Sequence, residues 1–214
     1  GRNGLITKNS ACEIFGSWTF QTSGTNDTLF SVKFYDLNTG IIVGQNGKIL
    51  RTTNNGTQWN AVTSGTGSSL YNLAFKPDST LLACGANGTI LQSTNKGLTW
   101  NALTTGVTNA LLDIDFPSND TGYAVGMNGL MLKTTDAGIT WNTVSTGITT
   151  KIRAVDFTNV NHGVMVGDDG VIQRTVDGGQ SWITFPFSSF YDVFDVKFRN
   201  DSIGYLMVQF DAYN

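Results

Sequence analysis

The side chains that could carry out acid–base or metal chemistry are few in this sequence. Its 214 residues include one Glu (Glu13), one His (His162) and two Cys (Cys12 and Cys84). General acid–base catalysis needs paired titratable groups, and a structural zinc site needs a cluster of Cys and His ligands. A carboxylate pair would have to come from Asp residues. The sequence therefore predicts no catalytic site, no metal site and no cofactor.

Asp and Lys residues recur at intervals of 41 positions and form the main candidate for a polar site. One column holds Lys33, Ala74, Asp115, Asp156 and Lys197, and a second holds Ser31, Asn72, Asp113, Ala154 and Asp195. The columns are two residues apart, so an extended strand presents both on one face. Two interpretations remain open: a solvated wall in which Asp and Lys balance charge, and a site for a polar ligand or cation. The candidate binding residues are Asp113, Asp115, Asp156, Asp195, Lys33 and Lys197.

The elements that must position these columns belong to an internal repeat. The five Trp residues, Trp18, Trp59, Trp100, Trp141 and Trp182, follow one another at intervals of 41 residues. The same period relates Phe34, Phe75, Phe116, Phe157 and Phe198, and the turns Asn46-Gly47, Asn87-Gly88, Asn128-Gly129 and Asp169-Gly170. A period near 40 that is built from short β segments is typical of a propeller.

Each repeat contains four short apolar segments separated by turn residues. In the unit from Leu111 to Val144, an alternating strand and a polar turn precede an apolar strand, an Asn-Gly turn and two further strands. Asn-Gly suits the positive φ angles of tight hairpin turns. No stretch shows helical spacing. The pattern predicts an all-β fold, a β-propeller of four-stranded antiparallel blades.

The sequence predicts one propeller domain over residues 1–214, with complete blades at about 29–62, 70–103, 111–144 and 152–185. We expect a fifth blade that both chain ends share, with inner strands from 193–210 and outer strands from 1–22. In that blade Leu5–Lys8 would pair with Gly204–Phe210 and protect two strand edges. Residues 208–214 align with the same part of the repeat as residues 1–7, which also fits a piece of a longer array.

A turn motif, Ser/Thr-x-Asp/Asn-x-Gly-x-x-Trp, follows the third strand of four repeats. The copies occupy 52–59, 93–100, 134–141 and 175–182. The motif resembles the Asp-box, or bacterial neuraminidase repeat. With the Gly-x-Asn-Gly before it, it more closely resembles the photosystem II stability/assembly factor-like propeller repeats. Its structural residues here are Asn54, Gly56, Trp59, Asn95, Gly97, Trp100, Asp136, Gly138, Trp141, Asp177, Gly179 and Trp182.

The chemistry of this motif favours a structural role. An Asp or Asn side chain accepts backbone N–H groups within a turn, and Gly adopts left-handed conformations without strain. The Trp is expected to fill the gap between neighbouring sheets. In the first copy, Ala11–Trp18, Glu13 replaces the Asp and Phe15 replaces the Gly.

The resemblance implies functions that the residues support unequally. Sialidases with Asp-boxes use an Arg triad, a Tyr–Glu pair and an acidic Asp. In this chain Arg51 and Arg174 occupy one column of the repeat, so we expect them to be repeat features of the blades and not members of a triad. Photosystem assembly factors resemble seven-bladed propellers with an Arg-rich patch, and this chain has about five units and five Arg residues. We therefore predict a non-enzymatic binding or scaffold module with a protein partner. The alternatives are a lectin-like or glycan-active protein and a photosystem assembly-like factor.

Charge and composition argue against two classes of partner, nucleic acid and a membrane crossed by a helix. The net charge of −3 and the lack of a basic run argue against nucleic acid. No apolar run is long enough to cross a membrane as a helix. The sequence, rich in Thr and Asn and poor in Lys, favours an extracellular, cell-surface or periplasmic location.

The linker at 185–191 is a second candidate for a binding surface. It reads Phe-Pro-Phe-Ser-Ser-Phe-Tyr, where the other linkers hold Ser, Gly and Thr. An exposed aromatic cluster marks a contact surface, although these rings could equally pack over the closing blade. The candidate residues are Phe185, Phe187, Phe190 and Tyr191.

Three smaller features complete the set of predictions. His162 lies alone in a turn and is expected to be exposed. Asp168-Asp169-Gly170 could bind a cation loosely, although Asp-Gly is also an acceptable hairpin turn. Cys12 and Cys84 belong to different repeats, so we predict that they do not form a disulfide.

Overall fold

The computed structural model describes residues 1–9, 18–200 and 202–210. Glu13, Cys12 and Phe15 lie outside these residues. The described chain forms six antiparallel sheets. It also forms 3-10 turns at Arg2–Gly4, Gln45–Gly47, Ala86–Gly88 and Met127–Gly129.

The sheets follow one another along the chain. The first half-blade pairs β1 (Ile6–Asn9) with β2 (Trp18–Gln21). Blade 1 contains β3 (Leu29–Phe34), β4 (Gly40–Gly44), β5 (Ile49–Thr52) and β6 (Asn60–Val62). Blade 2 contains β7 (Leu70–Phe75), β8 (Leu81–Gly85), β9 (Ile90–Ser93) and β10 (Asn101–Leu103). Blade 3 contains β11 (Leu111–Asp115), β12 (Gly122–Gly126), β13 (Met131–Thr134) and β14 (Asn142–Val144). Blade 4 contains β15 (Ile152–Phe157), β16 (Gly163–Gly167), β17 (Ile172–Thr175) and β18 (Ile183–Thr184), and the last half-blade pairs β19 (Tyr191–Asn200) with β20 (Ile203–Phe210).

The predicted fold class is confirmed: the protein is an all-β propeller built from four-stranded antiparallel blades. Each complete blade is a meander in which every strand pairs with the next. The first strands of neighbouring blades contact one another, so they are the innermost strands of the propeller. The Asp and Lys columns of the sequence lie on these strands.

The tight turns between second and third strands explain the recurring Asn-Gly pairs. In blade 1, Asn46 has φ 57° and Gly47 has φ 68°. Asn tolerates this left-handed region better than most residues, and Gly adopts it without strain. A Cβ atom at Gly47 would also lie 2.0 Å from the carbonyl oxygen of Thr66 in the linker to the next blade. The pair therefore sets both the turn and the approach of the following linker.

The four recurring motifs form what we call box turns, at 52–59, 93–100, 134–141 and 175–182. In the third, the buried Thr134 hydroxyl donates to Asp136 Oδ1 at 2.8 Å and accepts from the Gly138 N–H at 2.9 Å. Asp136 Oδ1 also accepts from the Thr140 N–H at 2.8 Å. The other three copies repeat this arrangement, whether the acceptor is Asn or Asp.

Apolar contacts between neighbouring blades form the core. Between blades 1 and 2, Leu73 of the first strand packs with Ile41 and Val43 of the preceding blade, together with Trp100. The same set recurs between blades 2 and 3 and between blades 3 and 4. The Trp residues of the first three box turns are at most 9 % exposed. The Trp therefore fills the gap between sheets, as the sequence predicts.

The shared fifth blade expected from the two chain ends is not formed. Within the described residues, β1 pairs with β2 and β20 pairs with β19, but the two half-blades do not pair with each other. Ile6 packs on blade 1, whereas Val193 and Val196 pack on blade 4. Each half is thus held by its own neighbouring blade. The expectation is corrected: the two ends form separate half-blades.

Cys84 is fully buried in the second strand of blade 2. Its thiol therefore behaves as a small apolar group in the core. Cys12 lies outside the described residues, so the absence of a disulfide between the two stays a prediction.

Candidate binding face

Each innermost strand carries a β-bulge at the same position. In blade 1 the pairing with β4 passes from Leu29 to Ser31 and skips the residue between them. The equivalent step occurs in the other three blades and in the last half-blade. We call the skipped residues the bulge row; they are Phe30, Tyr71, Leu112, Arg153 and Phe194. A β-bulge changes the direction in which the side chain of its extra residue points. The row therefore lies at the end of the inner strands, beside the linkers between blades.

The bulge row is mainly aromatic and apolar. The rings of Phe30 and Tyr71 meet edge to face, with centroids 5.4 Å apart. Phe30 is 47 % exposed and Tyr71 is half-buried. At the other end of the row, the Arg153 guanidinium lies 4.1 Å from the centroid of the Phe194 ring. The two ends of the row therefore differ, with an open aromatic pair at one and a covered cation at the other.

The charges on this face are paired with one another. Arg153 bonds to Asp168 through Nε and to Asp192 through Nη2, the latter at 2.9 Å. Lys151 lies 3.1 Å from the second oxygen of Asp168. The carboxylate of Asp168, which sequence reasoning offered as a loose cation ligand, is thus already held by two cationic side chains. Asp169 adopts φ 58° in the turn, in keeping with the alternative reading of the pair as a hairpin turn.

The aromatic linker at 185–191 lies on the same face, because the Gly170 N–H donates to the Tyr191 carbonyl at 2.7 Å. Phe185, Phe187 and Phe190 are 43–53 % exposed. Tyr191 is half-buried, and its ring centroid lies 5.5 Å from that of Phe187. The linker thus presents exposed rings beside the last half-blade.

The carboxylates of the two polar columns connect neighbouring inner strands. Asp113 Oδ2 accepts from the Val155 N–H at 2.9 Å, while its Oδ1 accepts from Asn72 Nδ2 at 2.5 Å. Asp115 accepts from the Phe157 N–H at 2.9 Å. Asp156 accepts from the Phe198 N–H at 2.7 Å and is also bonded by Lys197 Nζ. These three side chains therefore join blades.

Asp195, Lys33 and Lys197 are the exposed charged members of the polar columns, and Asp195 and Lys33 make no bond to a neighbouring blade that parallels those of Asp113, Asp115 and Asp156. Asp195 Oδ1 accepts from the Val196 N–H at 2.9 Å, as Asp113 does from Ile114. Asp195 lies in the last half-blade and Lys33 in blade 1, at opposite ends of the array. The structure brings Asp113, Asp115, Asp156 and Lys197 together, but in the described part of the chain the six candidate residues do not all meet at one site.

Burial changes the titration of the channel carboxylates. It raises the pKa of Asp113 to about 7, and the nearby charge of Asp115 adds to the effect, against the hydrogen bonds from Val155 and Ile114. Burial also raises the pKa of Asp115 to about 6. For Lys197, burial lowers the pKa, but the hydrogen bond and charge of Asp156 outweigh it, so the pKa lies above its usual value.

These shifts predict that the protein is more stable at pH 5 than at pH 8. The folded state holds the Asp113 proton up to about pH 7, whereas the unfolded chain releases it near the ordinary pKa of 3.8. Stability from this proton is complete below the unfolded pKa and disappears as the pH rises through the folded one. Asp113 alone should contribute a fall of about 2–3 kcal/mol in the free energy of unfolding between these pH values.

Urea denaturation at several pH values, followed by far-UV circular dichroism, measures this dependence. Asp113→Asn is the control, because it removes this titrating group: the fall should shrink by about 2–3 kcal/mol, and the smaller contribution of Asp115 should remain. A wild-type stability that stays level or increases from pH 5 to pH 8 would contradict the prediction, and would show that the hydrogen bonds outweigh burial.

His162 lies in an exposed turn, where its Nδ1 is 3.3 Å from Asn159 Nδ2. The described residues contain no group of three or more His, Cys, Asp or Glu side chains placed to hold a metal ion. A helix able to cross a bilayer is also absent from the part of the chain that the structure describes.

Comparison with known proteins identifies the family. Three overlapping matches, at residues 60–135, 98–189 and 136–206, fit the family model described as Photosynthesis system II assembly factor YCF48. They cover more than half of the chain. The chain belongs to the YCF48 family. A search of the curated proteins gave no match.

Solved structures with the same fold are distant in sequence. A structure titled YCF48 bound to D1 peptide is 12 % identical with a TM-score of 0.55, covering 98 % of this chain and 95 % of that one. U3-55K is 14 % identical with a TM-score of 0.68, over 81 % and 56 % of the two chains. An ancestral GH74 enzyme is 16 % identical with a TM-score of 0.62, over 78 % and 27 %. Likeness at these identities shows the propeller fold alone.

Membership of the YCF48 family corrects one prediction. The expected extracellular, cell-surface or periplasmic location is contradicted, because the family model that the chain matches is that of a photosystem II assembly factor. The inference had rested on composition. A Thr- and Asn-rich sequence also suits the many turns of a propeller, so it does not identify a compartment.

Sequence reasoning missed the bulge row as a candidate surface. Its members fall in one column of the repeat, but they are Phe, Tyr, Leu, Arg and Phe, and large apolar residues in a strand are ordinarily read as core. A signal was present nonetheless, because the column just before the row is uniformly aliphatic: Leu29, Leu70, Leu111, Ile152 and Val193. A variable column inside an otherwise regular strand indicates positions that the fold does not constrain.

Proposed function

We propose that this protein is a non-enzymatic binding module that holds an extended segment of a photosystem protein during assembly. The observation that carries the proposal is the exposed aromatic pair Phe30 and Tyr71 at the channel end of the inner strands, 5.4 Å apart. The YCF48 family supports an assembly role, and a relative bound to a D1 peptide supports a polypeptide ligand.

The chemistry of the face suits a peptide with apolar side chains. Covering a partly exposed aromatic ring releases water from its apolar surface, and the ring has few rotamers to lose, so such rings dominate protein interfaces. The cations Arg153 and Lys151 are already neutralised by Asp168 and Asp192. Binding at the bulge row would therefore depend mainly on apolar contacts, with the rings of the 185–191 linker extending the surface.

The same contacts argue against catalysis. Asp113, Asp115 and Asp156 accept backbone N–H groups of neighbouring blades, so they are committed to the scaffold. A glycoside hydrolase needs two carboxyl groups facing one substrate. We therefore expect no turnover of aryl glycosides or sialosides, and hydrolysis that is lost in Asp115→Asn would contradict the proposal.

Fluorescence anisotropy with a labelled D1-derived peptide tests the binding function. Tyr71→Ala should weaken binding by about ten-fold, since it removes one of the two central rings. Ile139→Ala is the matched control, because Ile139 is 75 % exposed but lies in a box turn, away from the bulge row. Equal losses in both variants, or no binding by the wild type, would contradict the assignment.

A glycan array run on the same preparation separates the lectin-like alternative. The proposal predicts no specific glycan signal. A signal that Tyr71→Ala removes would show instead that the aromatic face binds sugar rings.

A further inference from the structure

Carboxylates of the polar columns bond N–H groups on the free edge of the inner strands. Asp115 Oδ2 accepts from the Phe157 N–H of the next blade at 2.9 Å, and Asp156 Oδ2 accepts from the Phe198 N–H of the last half-blade at 2.7 Å. The Phe116 N–H is bonded by Asp115 of its own strand. For these Phe residues the carboxylate therefore comes either from the preceding blade or from the residue just before the Phe.

Phe75 is the exception in this series. The Lys76 N–H donates to the Thr80 carbonyl at 2.8 Å across the β7–β8 hairpin. Successive N–H groups of a strand point to opposite sides, so the Phe75 N–H points to the free edge. The two positions that supply a carboxylate elsewhere hold Lys33 in the preceding blade and Ala74 in the same strand. Neither side chain can accept a hydrogen bond.

This exception lies at the junction of two complete blades. Leu73, two residues before Phe75, packs against Ile41 and Val43 of blade 1. The ring of Phe75 itself meets that of Tyr35 in blade 1 edge to face, with centroids 4.6 Å apart. The position of the Phe75 N–H is therefore determined by the packing of blades 1 and 2, and not by either end of the array.

The charge of the polar columns changes sign along the inner strands. In blades 1 and 2 the column residues carry one positive charge; they are Ser31, Lys33, Asn72 and Ala74. In blades 3 and 4 they are Asp113, Asp115, Ala154 and Asp156. An amide separates the two halves, because Asn72 accepts from Ser31 at 2.9 Å and donates to Asp113 at 2.5 Å. An anion is therefore favoured beside Lys33 and disfavoured beside the carboxylates of blades 3 and 4.

We propose that the junction of blades 1 and 2 binds a carboxylate of a ligand, which accepts from the Phe75 N–H and pairs with the Lys33 ammonium. Asp156 shows the same combination within the protein, because its carboxylate is bonded by the Phe198 N–H and by Lys197 Nζ. Hydrogen bonds to an ionised acceptor are stronger than those between neutral groups. The ligand takes the place that an Asp side chain takes at the two later junctions.

Two sources can supply such a carboxylate, a small organic anion and an acidic side chain of a polypeptide. Lys33 and Phe75 follow Phe30 and Tyr71 by three and four residues on the same strands. That spacing corresponds to about 10 Å along a strand, so a polypeptide on the bulge row can also reach the junction. The carboxylate site does not require that surface, because its donor groups are separate from the aromatic rings.

Amide resonances of protein that contains isotope-labelled phenylalanine test the site. Sodium acetate at pH 7, which is ionised, should move the Phe75 amide proton downfield, whereas sodium chloride at equal concentration should not. Lys33→Ala should weaken the response to acetate about five-fold, because it removes the paired charge. Lys96→Ala is the matched control, since it removes the same charge from a box turn, where Lys96 pairs with Asp36. It should respond like the wild type.

Lys33→Asp gives a second and independent result. The substitution puts a carboxylate of the protein itself in the column position that Asp115 and Asp156 occupy in their blades. The Phe75 amide proton should then lie downfield without any ligand and should no longer respond to acetate. Lys33 is exposed, so both of its variants should fold, as circular dichroism would verify.

A pentapeptide with blocked ends and a single Glu, compared with its Gln counterpart, separates the two sources. A Glu peptide that acts at lower concentration than acetate indicates a polypeptide ligand, and one that does not indicates a small organic anion. A wild-type Phe75 amide that responds to neither probe would overturn the inference, as would a Lys33→Asp variant whose Phe75 amide keeps its wild-type position. Neither probe carries an aromatic ring, so the result does not depend on whether the D1 peptide binds at the bulge row.

Discussion

Replacing Trp141 by alanine should lower the free energy of unfolding by about 3–5 kcal/mol, because it removes a large ring from a closely packed interface. Trp141 is 9 % exposed and belongs to the core cluster between blades 2 and 3. Its ring centroid lies 5.9 Å from that of Phe116. Urea denaturation followed by far-UV circular dichroism measures the change.

Trp18→Ala provides a matched control for this substitution. Trp18 occupies the same column of the repeat, but it is 66 % exposed in the first half-blade. The same chemical change should therefore cost well under about 1 kcal/mol. Equal destabilisation by the two substitutions would contradict the packing role assigned to the box-turn Trp residues.

Thr134→Val should cost about 2–4 kcal/mol although it preserves the shape of the side chain. The hydroxyl of Thr134 accepts from the Gly138 and Asp136 N–H groups and donates to Asp136 Oδ1. Valine leaves the buried Gly138 N–H and the part-buried Asp136 N–H without an acceptor, and each unmade bond costs about 1–3 kcal/mol. Denaturation in urea gives the value.

Thr134→Ser separates the hydrogen bonds from the methyl group. In the second box turn Ser93 makes the equivalent bonds, accepting from the Gly97 N–H at 2.9 Å. Serine at 134 should therefore cost about 1 kcal/mol for the lost methyl group and no more. If valine is tolerated better than serine, the hydroxyl does not organise the turn.

The blades were predictable from sequence because their strongest constraints are local and repeated. A Trp every 41 residues, an Asn-Gly turn and a box turn each depend on a few neighbouring residues. Asn54 and Asp136 form the same turn because both offer a side-chain oxygen to the same N–H groups. Such chemistry is visible in one repeat, and the other repeats verify it.

The binding face and the chain ends were less predictable because they depend on relations between repeats. The bulge that exposes Phe30 arises from the register of two strands, which composition does not reveal. The residue type of Asp113 suggested a ligand. Its role in the structure depends instead on the Val155 N–H that faces it in the next blade. Whether the two ends of the chain pair depends on the angle between neighbouring blades, which no single repeat encodes.

Mapping the position of a bound peptide tests the central claim most directly. A D1-derived peptide that carries a photoreactive group, cross-linked to the wild type and analysed by mass spectrometry, should label the bulge row around Phe30 and Tyr71 and the linker at 185–191. Labelling concentrated on the box turns, on the opposite ends of the strands, would contradict the account, as would labelling that unlabelled peptide fails to compete away.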